Sequence, residues 1–137
     1  MSSVGESHMC EVLVLMCMDF RFRACVQENL EAKGIRSYDL IAFPGASLGL
    51  SSGTNPAQKP LLNAITIAKN LHNIQRVVIV DHEDCGAYGG SQNFASFDEE
   101  KAAHKEKLTL ASKAVSIETD LPVDTWLARL DGTLEAL

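Results

Sequence analysis

Three runs of apolar residues, separated by segments of helical character, constrain the fold of this chain more than any other feature. The runs occupy residues 11–16, 38–43 and 76–80, and the first and third show no alternation of apolar and polar positions. Continuous apolar character is typical of strands covered on both faces, whereas a strand with one face in water alternates. The sequence therefore predicts parallel strands between two layers of helices.

Local signals mark the helices between these strands. A helix is predicted over residues 24–33, and a second one opens at Asn55-Pro56, where Asn caps the first turn and Pro suits its start. Ser96 and Glu99 have the spacing of a capping box, which predicts a third helix that runs to about residue 114. The first half of this helix is strongly charged, so we expect it to present a solvated face.

Two further segments, residues 125–130 and 133–137, flank the turn-forming pair Asp131-Gly132 and predict a terminal hairpin. The resulting order β-α-β-α-β-α-β-β predicts an α/β, three-layer fold. We expect a mostly parallel sheet with strand order 2-1-3-4, helices on both faces, and an antiparallel edge strand from the C-terminal hairpin. The 137 residues suffice for one domain over residues 1–137, in which residues 1–9 form a flexible arm.

Composition and charge limit the partners of such a domain. Twelve Lys and Arg stand against eighteen Asp and Glu, a formal net charge of −6, and no basic patch interrupts this balance. Phosphate backbones and anionic lipids repel such a surface, and no apolar run approaches the roughly 20 residues that span a bilayer. The first residues lack the features of a signal peptide. We therefore expect a cytoplasmic protein that binds neither nucleic acid nor membranes, and whose four cysteines are thiols or metal ligands.

The predicted topology brings several residues that could bind a metal to one rim of the sheet. Right-handed crossovers align the carboxyl ends of the parallel strands, and a crevice opens at the ends of the first and third strands. Cys17 follows the first strand, and His82 and Cys85 follow the third. Two thiols and an imidazole suit Zn²⁺, and three protein ligands leave one coordination position open, as in catalytic zinc sites.

A carboxylate and a guanidinium stand close to the first of these thiols. Asp19 could accept a hydrogen bond from metal-bound water, or could itself take the fourth position on the metal. Arg21 could hold that carboxylate in a forked, charge-assisted pair. Zinc with two thiolates is already neutral, so an oriented acceptor helps to keep hydroxide in its reactive orientation.

Together the two stretches carry a paired motif, Cys17-x-Asp19-x-Arg21 and His82-x-x-Cys85-Gly86. This pair resembles the β-class carbonic anhydrases, which interconvert carbon dioxide and bicarbonate. The likeness extends over most of the chain, as far as the terminal hairpin. It implies the fold of that family for this domain.

The resemblance also implies roles for the residues of both motifs. Cys17, His82 and Cys85 correspond to the zinc ligands, and Asp19 and Arg21 to the catalytic pair. It implies reversible hydration of carbon dioxide to bicarbonate through a zinc-bound hydroxide, with Zn²⁺ as cofactor. In some members of the family, the residue that corresponds to Asp19 closes onto the zinc as an alternate fourth ligand. The family commonly forms dimers, so we expect a homodimer or a higher homo-oligomer.

One segment departs from the family pattern. An Arg-Asn-Ala-Gly type of segment usually follows the second strand, whereas this chain has Ala42-Phe43-Pro44-Gly45. We expect Phe43, Gly45 and Gly86 to line the substrate pocket, with Phe43 as a bulky apolar wall. Relatives on the same scaffold hydrolyse carbon disulfide or carbonyl sulfide. Two alternatives therefore stand beside hydration of carbon dioxide: such a hydrolase, or a zinc-binding protein without catalytic activity.

A competing class is the cysteine phosphatases. Cys17 and Arg23 have the Cys-x5-Arg spacing of the phosphatase loop, in which backbone amides cradle the anion. The loop here contains the bulky residues Met18 and Phe20, lacks glycine, and includes Asp19, whose charge repels phosphate. It also leaves the second motif unexplained, so the phosphatase hypothesis is disfavoured.

The remaining cysteines, histidines and aromatic residues receive structural interpretations. We expect Cys10 and Cys25 to be packing residues, because neither belongs to a motif. Solvated positions are expected for His8, His72 and His104, and core or pocket-lining positions for Phe20, Phe43 and Tyr88.

Overall fold

The structure, a computed structural model, describes residues 7–137, so most of the predicted arm over residues 1–9 lies outside the described residues. In chain order the strands and α-helices of this part are β1 (Val12–Met16), α1 (Arg23–Ala32), β2 (Tyr38–Ala42), α2 (Gln58–His72), β3 (Arg76–His82), α3 (Phe97–Thr119), β4 (Val123–Ala128) and β5 (Leu134–Ala136). Among residues 7–137, no helix is long and apolar enough to cross a membrane.

The five strands form a sheet in the order β2-β1-β3-β4-β5. The first four strands of that order run parallel, and β5 pairs with β4 in the antiparallel orientation. The predicted α/β fold is thereby confirmed, with its strand order 2-1-3-4 and an antiparallel edge strand from the terminal hairpin. Because β2 and β3 flank β1 on opposite sides, a crevice opens at the carboxyl ends of β1 and β3.

Apolar residues on the two faces of the sheet form two cores. On one face, Leu13 packs in a cluster with Ile65 of α2 and Leu108 of α3. On the other face, Val14 packs in a cluster with Val26 of α1. All five residues of β1 are buried. Successive side chains of this strand enter different cores, which explains why its sequence shows no alternation.

β3 continues two residues beyond the apolar run that predicted it. Asp81 and His82 remain in register with Leu127 and Ala128 of β4. The strand was expected to end at Val80, because polar residues such as Asp81 and His82 usually mark the end of a buried strand. Asp81 and His82 are nevertheless buried, and both have hydrogen-bond partners there. The strand thus carries His82 to the rim of the sheet.

Two helices differ from their predicted bounds. α2 begins at Gln58 rather than at Asn55, because the side chain of Asn55 accepts a hydrogen bond from the backbone of Ala57 in a turn that precedes the helix. α3 ends at Thr119, beyond its predicted end, because Val115 and Thr119 continue its buried face. Packing against the sheet therefore decides both lengths.

Candidate metal centre

Three side chains meet where β1 and β3 end at the same rim of the sheet. Met16 is level with Val80 in the strand register, so Cys17 directly after β1 lies beside the end of β3. His82 is the last residue of β3, and Cys85 follows it by three residues. Ligand atoms of Cys17, His82 and Cys85 all lie within 4.8 Å of one another, and all three residues are buried. The structure thus brings the three expected metal ligands together.

The orientation of the His82 ring leaves one nitrogen free for a ligand. Its Nδ1 donates a hydrogen bond to the carbonyl oxygen of Glu83, at 2.7 Å. Its Nε2 is buried and has no hydrogen-bond partner among the described residues. An unpaired buried nitrogen is destabilising, whereas a histidine whose other nitrogen donates to a carbonyl is the usual arrangement of a metal ligand. Nε2 is therefore the atom of His82 that fits a metal.

The two thiols form a tightly coupled pair. A hydrogen bond from the Cys85 thiol lowers the pKa of Cys17 far below its usual range, and the same contact raises the pKa of Cys85. A thiolate that accepts a hydrogen bond from a neighbouring thiol is stabilised, and the thiolate is the form of cysteine that binds metals. Two sulfurs and an imidazole nitrogen are donors that Zn²⁺ favours, and three protein ligands leave a coordination position open. The residues present fit a zinc ion.

Asp19 lies at the edge of this cluster in a forked pair with Arg21. The guanidinium of Arg21 donates to both carboxylate oxygens of Asp19 over 2.8–3.2 Å, and the backbone N–H of Arg21 donates as well. These bonds lower the pKa of Asp19 to about 2, so the carboxylate stays ionised. Its Oδ2 lies 3.8 Å from Nε2 of His82. A carboxylate in this position can accept a hydrogen bond from a molecule held at the cluster, or can approach a metal itself.

Asp84 fastens the loop that carries Cys85. Its backbone is left-handed, with φ of +59°, a conformation that Asp tolerates better than most residues. Its side chain accepts hydrogen bonds from the backbone of Ser91 at 2.9 Å and from Arg21 at 3.2 Å. Its own backbone N–H donates to the buried carboxylate of Glu100, at 2.7 Å. Arg21 thus connects Asp19 to this loop, and α3 holds the same loop through Glu100.

A buried polar network supports the end of β3 next to the candidate metal ligands. Asp81 accepts hydrogen bonds from the backbone and hydroxyl of Ser47 and from the hydroxyl of Tyr88, and its Oδ2 lies 2.7 Å from Nδ1 of His104. The expectation that His104 is solvated is wrong, because this residue of α3 is fully buried. A buried carboxylate requires such donors. By providing them, the network fixes Asp81 directly before His82.

A cleft of about 460 Å³ opens beside Cys17 and His82, and the other residues that line it are Met18, Asp19, Phe20, Pro44, Gly45, Gly86 and Ala87. Gly45 has φ of +77°, and a Cβ at this position would lie 3.0 Å from that of Ala87, so this wall requires glycine. Phe43, which we expected to form a bulky wall, instead packs against the core, where its ring lies close to Gly49. The cleft wall is therefore smaller than expected.

Several other residues considered in the sequence lie away from this cleft. Cys25 is half-buried and donates to a backbone carbonyl, in agreement with a packing role. His8 is exposed, as expected. His72 is instead half-buried, and its Nδ1 lies 2.7 Å from a carboxylate oxygen of Asp39. Cys10 lies close to both, and the possible ligand atoms of the three residues are within 4.8 Å of one another.

Sequence reasoning missed the residues that position the candidate metal ligands. Asp81 and Asp84 flank His82 in a polar stretch after an apolar strand, which is ordinarily interpreted as a solvated loop. Glu100, His104 and Leu108 follow one another at intervals of four residues, so the buried face of α3 was detectable from its spacing. The many charged residues between them obscured this pattern.

Residues 7–127 match the family described as “Putative carbonic anhydrase”. An uncharacterized protein of Rickettsia bellii (strain RML369-C) is 31% identical over 131 residues, which cover 91% of this chain and 80% of the relative. An uncharacterized protein of Rickettsia conorii (strain ATCC VR-613 / Malish 7) is 32% identical over 131 residues, which cover 91% of this chain and 70% of the relative.

Two solved structures share the fold. The β-carbonic anhydrase CafA of Aspergillus fumigatus matches with a TM-score of 0.53 at 17% identity, over 96% of this chain and 76% of that one. One of two tetrameric β-carbonic anhydrases from Sordaria macrospora matches with a TM-score of 0.58 at 14% identity, over 96% of this chain and 82% of that one. Identities this low establish the fold alone. Because the family match spans most of the sequence, the chain belongs to the family described as “Putative carbonic anhydrase”, and it has the fold of the β-carbonic anhydrases.

Proposed function

We propose that this protein catalyses the zinc-dependent, reversible hydration of carbon dioxide to bicarbonate. One observation carries the proposal: the buried Nε2 of His82 has no hydrogen-bond partner among the described residues and lies in a cluster with two thiols. Such a set of donors is suited to a metal and to little else. Membership of the carbonic anhydrase-like family supports the same reaction.

Cys17, His82 and Cys85 would hold the zinc ion. When bound, zinc supplies a Lewis acid that activates water for attack on carbon dioxide. The ligands come from the ends of two neighbouring strands, so the sheet sets their spacing. The hydrogen bond from Nδ1 of His82 to the Glu83 carbonyl fixes the ring, and with it the direction of Nε2.

Asp19 and Arg21 act at the edge of the cluster. With its pKa lowered to about 2, Asp19 remains an acceptor at working pH, so it orients water by accepting a hydrogen bond and does not take the proton. Arg21 holds the carboxylate by its fork, while its bonds to the side chain and backbone of Asp84 hold the guanidinium. The proposal includes a second state in which Asp19 leaves this fork and becomes the fourth metal ligand.

The walls of the cleft suit a small, uncharged substrate. Pro44, Gly45, Gly86 and Ala87 provide a wall of small side chains next to the ligands. A Cβ at Gly86 would meet nothing within 4 Å, so the cleft has free space there. The case for carbon disulfide or carbonyl sulfide depended on Phe43 as a bulky wall. Since Phe43 packs against the core, carbon dioxide is the substrate that we propose.

Two other classes are less well supported. A structural zinc site is closed by four protein ligands and needs no ionised carboxylate beside it, so the fork between Asp19 and Arg21 favours an enzyme. A cysteine phosphatase would need Arg23 to clamp the anion over Cys17. Arg23 is exposed in α1, and Asp19 lines the cleft instead, where its charge repels phosphate.

The proposal extends to a cytoplasmic homo-oligomer. Met18 and Phe20 at the mouth of the cleft are 65% and 81% exposed, and large apolar side chains exposed side by side are typical of surfaces that another chain covers. The Sordaria macrospora enzymes are described as tetrameric. All four cysteines lack disulfides, which fits a reducing compartment. Gel filtration with light scattering measures the assembly, and a monomer at micromolar concentration would contradict this part.

Stopped-flow measurement of carbon dioxide hydration on protein of known zinc content tests the reaction. Asp19→Asn removes a charge at nearly constant shape, so we expect zinc to remain while the rate falls by about 10- to 100-fold. Cys17→Ser replaces a ligand, so we expect zinc and activity to be lost together. Glu106→Gln, at an exposed position of α3, serves as the control and should match the wild type.

Zinc-loaded wild-type protein that fails to accelerate hydration would contradict the proposed reaction. An Asp19→Asn variant with full activity would contradict only the role of Asp19. Cleavage of an aryl phosphate after removal of zinc would favour the phosphatase class in place of both.

A further inference from the structure

A second group of side chains that could hold a metal ion lies at the opposite end of the strands from Cys17. Cys10 lies two residues before β1, Asp39 is the second residue of β2, and His72 is the last residue of α2. Ligand atoms of these three residues all lie within 4.8 Å of one another. Three segments that are distant in sequence therefore converge on one point.

The geometry of this group is close to that of a zinc site. Zinc bonds of about 2.0–2.3 Å in a tetrahedron place neighbouring ligand atoms about 3.3–3.8 Å apart. Nδ1 of His72 and Oδ2 of Asp39 are 2.7 Å apart and form a hydrogen bond, so a proton lies between these two atoms. The backbone N–H of Cys10 donates to the carbonyl of His72 at 3.1 Å, which ties the first segment to the end of α2. Small side-chain movements suffice to place an ion among the three.

The donor chemistry and the local charges also suit a divalent cation. Thiolate, imidazole and carboxylate are all zinc ligands, and together they carry two negative charges when the thiol is ionised. His72 stands in the last turn of α2, where the helix dipole favours a positive charge. Arg36 lines the same cleft, and its positive charge opposes a cation, so the two negative ligands must outweigh this repulsion by binding the ion directly.

We infer that Cys10, Asp39 and His72 bind a second zinc ion, separate from the proposed catalytic one. On binding, the thiol proton of Cys10 passes to solvent, and the imidazole proton of His72 moves from Nδ1 to Nε2, so that Nδ1 and the Asp39 carboxylate both face the ion. The cleft around the three ligands measures about 640 Å³, so water can complete the coordination. His8 lines the same cleft with its ring edge-on to that of His72, at 5.3 Å between centroids, and offers a further imidazole.

This inference does not depend on the proposed hydration reaction. An ion at this position would join the segment before β1 to the start of β2 and the end of α2. It would therefore stabilise the end of the sheet where β1 and β2 begin, and it would take no part in the chemistry at Cys17. The two sites lie beyond opposite ends of β1.

Metal stoichiometry of the stripped and reloaded protein tests the second site. By mass spectrometry of bound zinc after gel filtration, we expect about two equivalents per chain for the wild type and about one for Cys10→Ser or His72→Ala. Cys25→Ser is the matched control, because Cys25 is also a half-buried thiol that donates to a backbone carbonyl. This control should keep both equivalents.

Cobalt substitution identifies the thiol involved. In a Cys17→Ser, Cys85→Ser variant the first site has no sulfur, so a thiolate-to-cobalt absorption band in the near ultraviolet reports Cys10. We expect the band in this variant and its loss when Cys10→Ser is added. Zinc binding that is undiminished in Cys10→Ser, whether the wild type holds one equivalent or two, would overturn the inference. Two bound equivalents without hydration activity would contradict the proposed function and leave the second site standing.

Discussion

At the scale of single residues, the carboxylate of Asp81 is the most demanding group in the interior. It is 1% exposed, and a buried carboxylate is tolerated only where several donors compensate for the loss of water. Ser47, Tyr88 and His104 come from three different parts of the chain to provide them. Because the next residue is His82, a proposed metal ligand, this network fixes the backbone at the candidate site as well as the core.

Loss of the His104 side chain should destabilise the fold. His104→Ala removes a buried ring and leaves Asp81 with one fewer donor, so we expect the free energy of unfolding to fall by about 2–4 kcal/mol. Urea denaturation followed by circular dichroism measures the change. Lys105→Ala, at the exposed neighbouring position, should change stability by less than about 0.5 kcal/mol.

If His104→Ala unfolds at the same urea concentration as the wild type, the network contributes nothing to stability and the interpretation of Asp81 is wrong. Tyr88→Phe provides an independent check, because it removes only the hydroxyl that donates to Asp81. A loss of about 1–2 kcal/mol is expected for that change.

Sequence reasoning found the candidate metal ligands, whose side chains the structure brings together, but not the residues that support them. Cys17, His82 and Cys85 could be identified because cysteine and histidine at strand ends have few roles besides metal binding when they occur together. His104 could not be recognised in the same way, because a histidine among charged residues of a helix is usually solvated. Only its spacing from Glu100 and Leu108 indicated burial, and the tertiary partner Asp81 was unknown.

At the scale of elements, α3 controls the loop that carries Cys85. Glu100 in the first turn of α3 is 2% exposed, and its carboxylate accepts hydrogen bonds from the backbone of Asp84 and the hydroxyl of Ser91. These bonds join the helix to both ends of the loop. Since Asp84 directly precedes Cys85, the helix sets where the thiol lies relative to β3.

Disconnecting this helix from the loop should weaken metal binding at the first site. Glu100→Ala leaves the backbone N–H of Asp84 without its acceptor, so we expect zinc affinity to fall by about 10-fold, the lower end of the range for outer-shell partners. Glu100→Gln keeps an acceptor oxygen and should restore most of the affinity. Competition with a chromophoric chelator, in the Cys10→Ser background, measures the first site alone.

Equal zinc affinity in Glu100→Ala and Glu100→Gln would show that the contact between α3 and the loop does not position Cys85. A fall in both variants would instead indicate that the negative charge of Glu100 acts on the metal at a distance.

Two elements extend beyond the ends that sequence reasoning gave them. β3 was expected to end at Val80, where its apolar run stops, and α3 near residue 114, although its buried face continues through Val115 and Thr119. In the structure, Asp81 stays in the strand because donors from other elements satisfy it, and Thr119 stays in α3 because its hydroxyl donates to the carbonyl of Val115. Asp81 thus extends β3 through partners from other elements, which local propensity does not reveal, whereas the partner of Thr119 lies within the same helix.

At the scale of the whole molecule, strand order decides where the chemistry lies. The order β2-β1-β3 could be predicted because unalternating runs require burial on both faces and crossovers have one preferred hand. It brings Cys17 beside His82, although 64 residues separate them in the sequence. The second cluster could not be predicted in the same way. Cys10, Asp39 and His72 occupy no shared motif, and only the level starts of β1 and β2 and the length of α2 bring them together.

Metal binding at the first site should therefore be visible in the stability of the whole fold. An ion held by Cys17 and by the end of β3 closes a long loop of the chain and binds the folded state only. A free zinc concentration about 1,000-fold above the dissociation constant would add about 4 kcal/mol, which raises the melting temperature of a domain of this size by about 10–15 °C. Differential scanning calorimetry of the Cys10→Ser protein, with zinc and after chelation, measures this shift without the second cluster. Adding Cys17→Ser should abolish the shift; if it persists, the stabilising ion is bound elsewhere, and the meeting of the two strand ends does not depend on a metal.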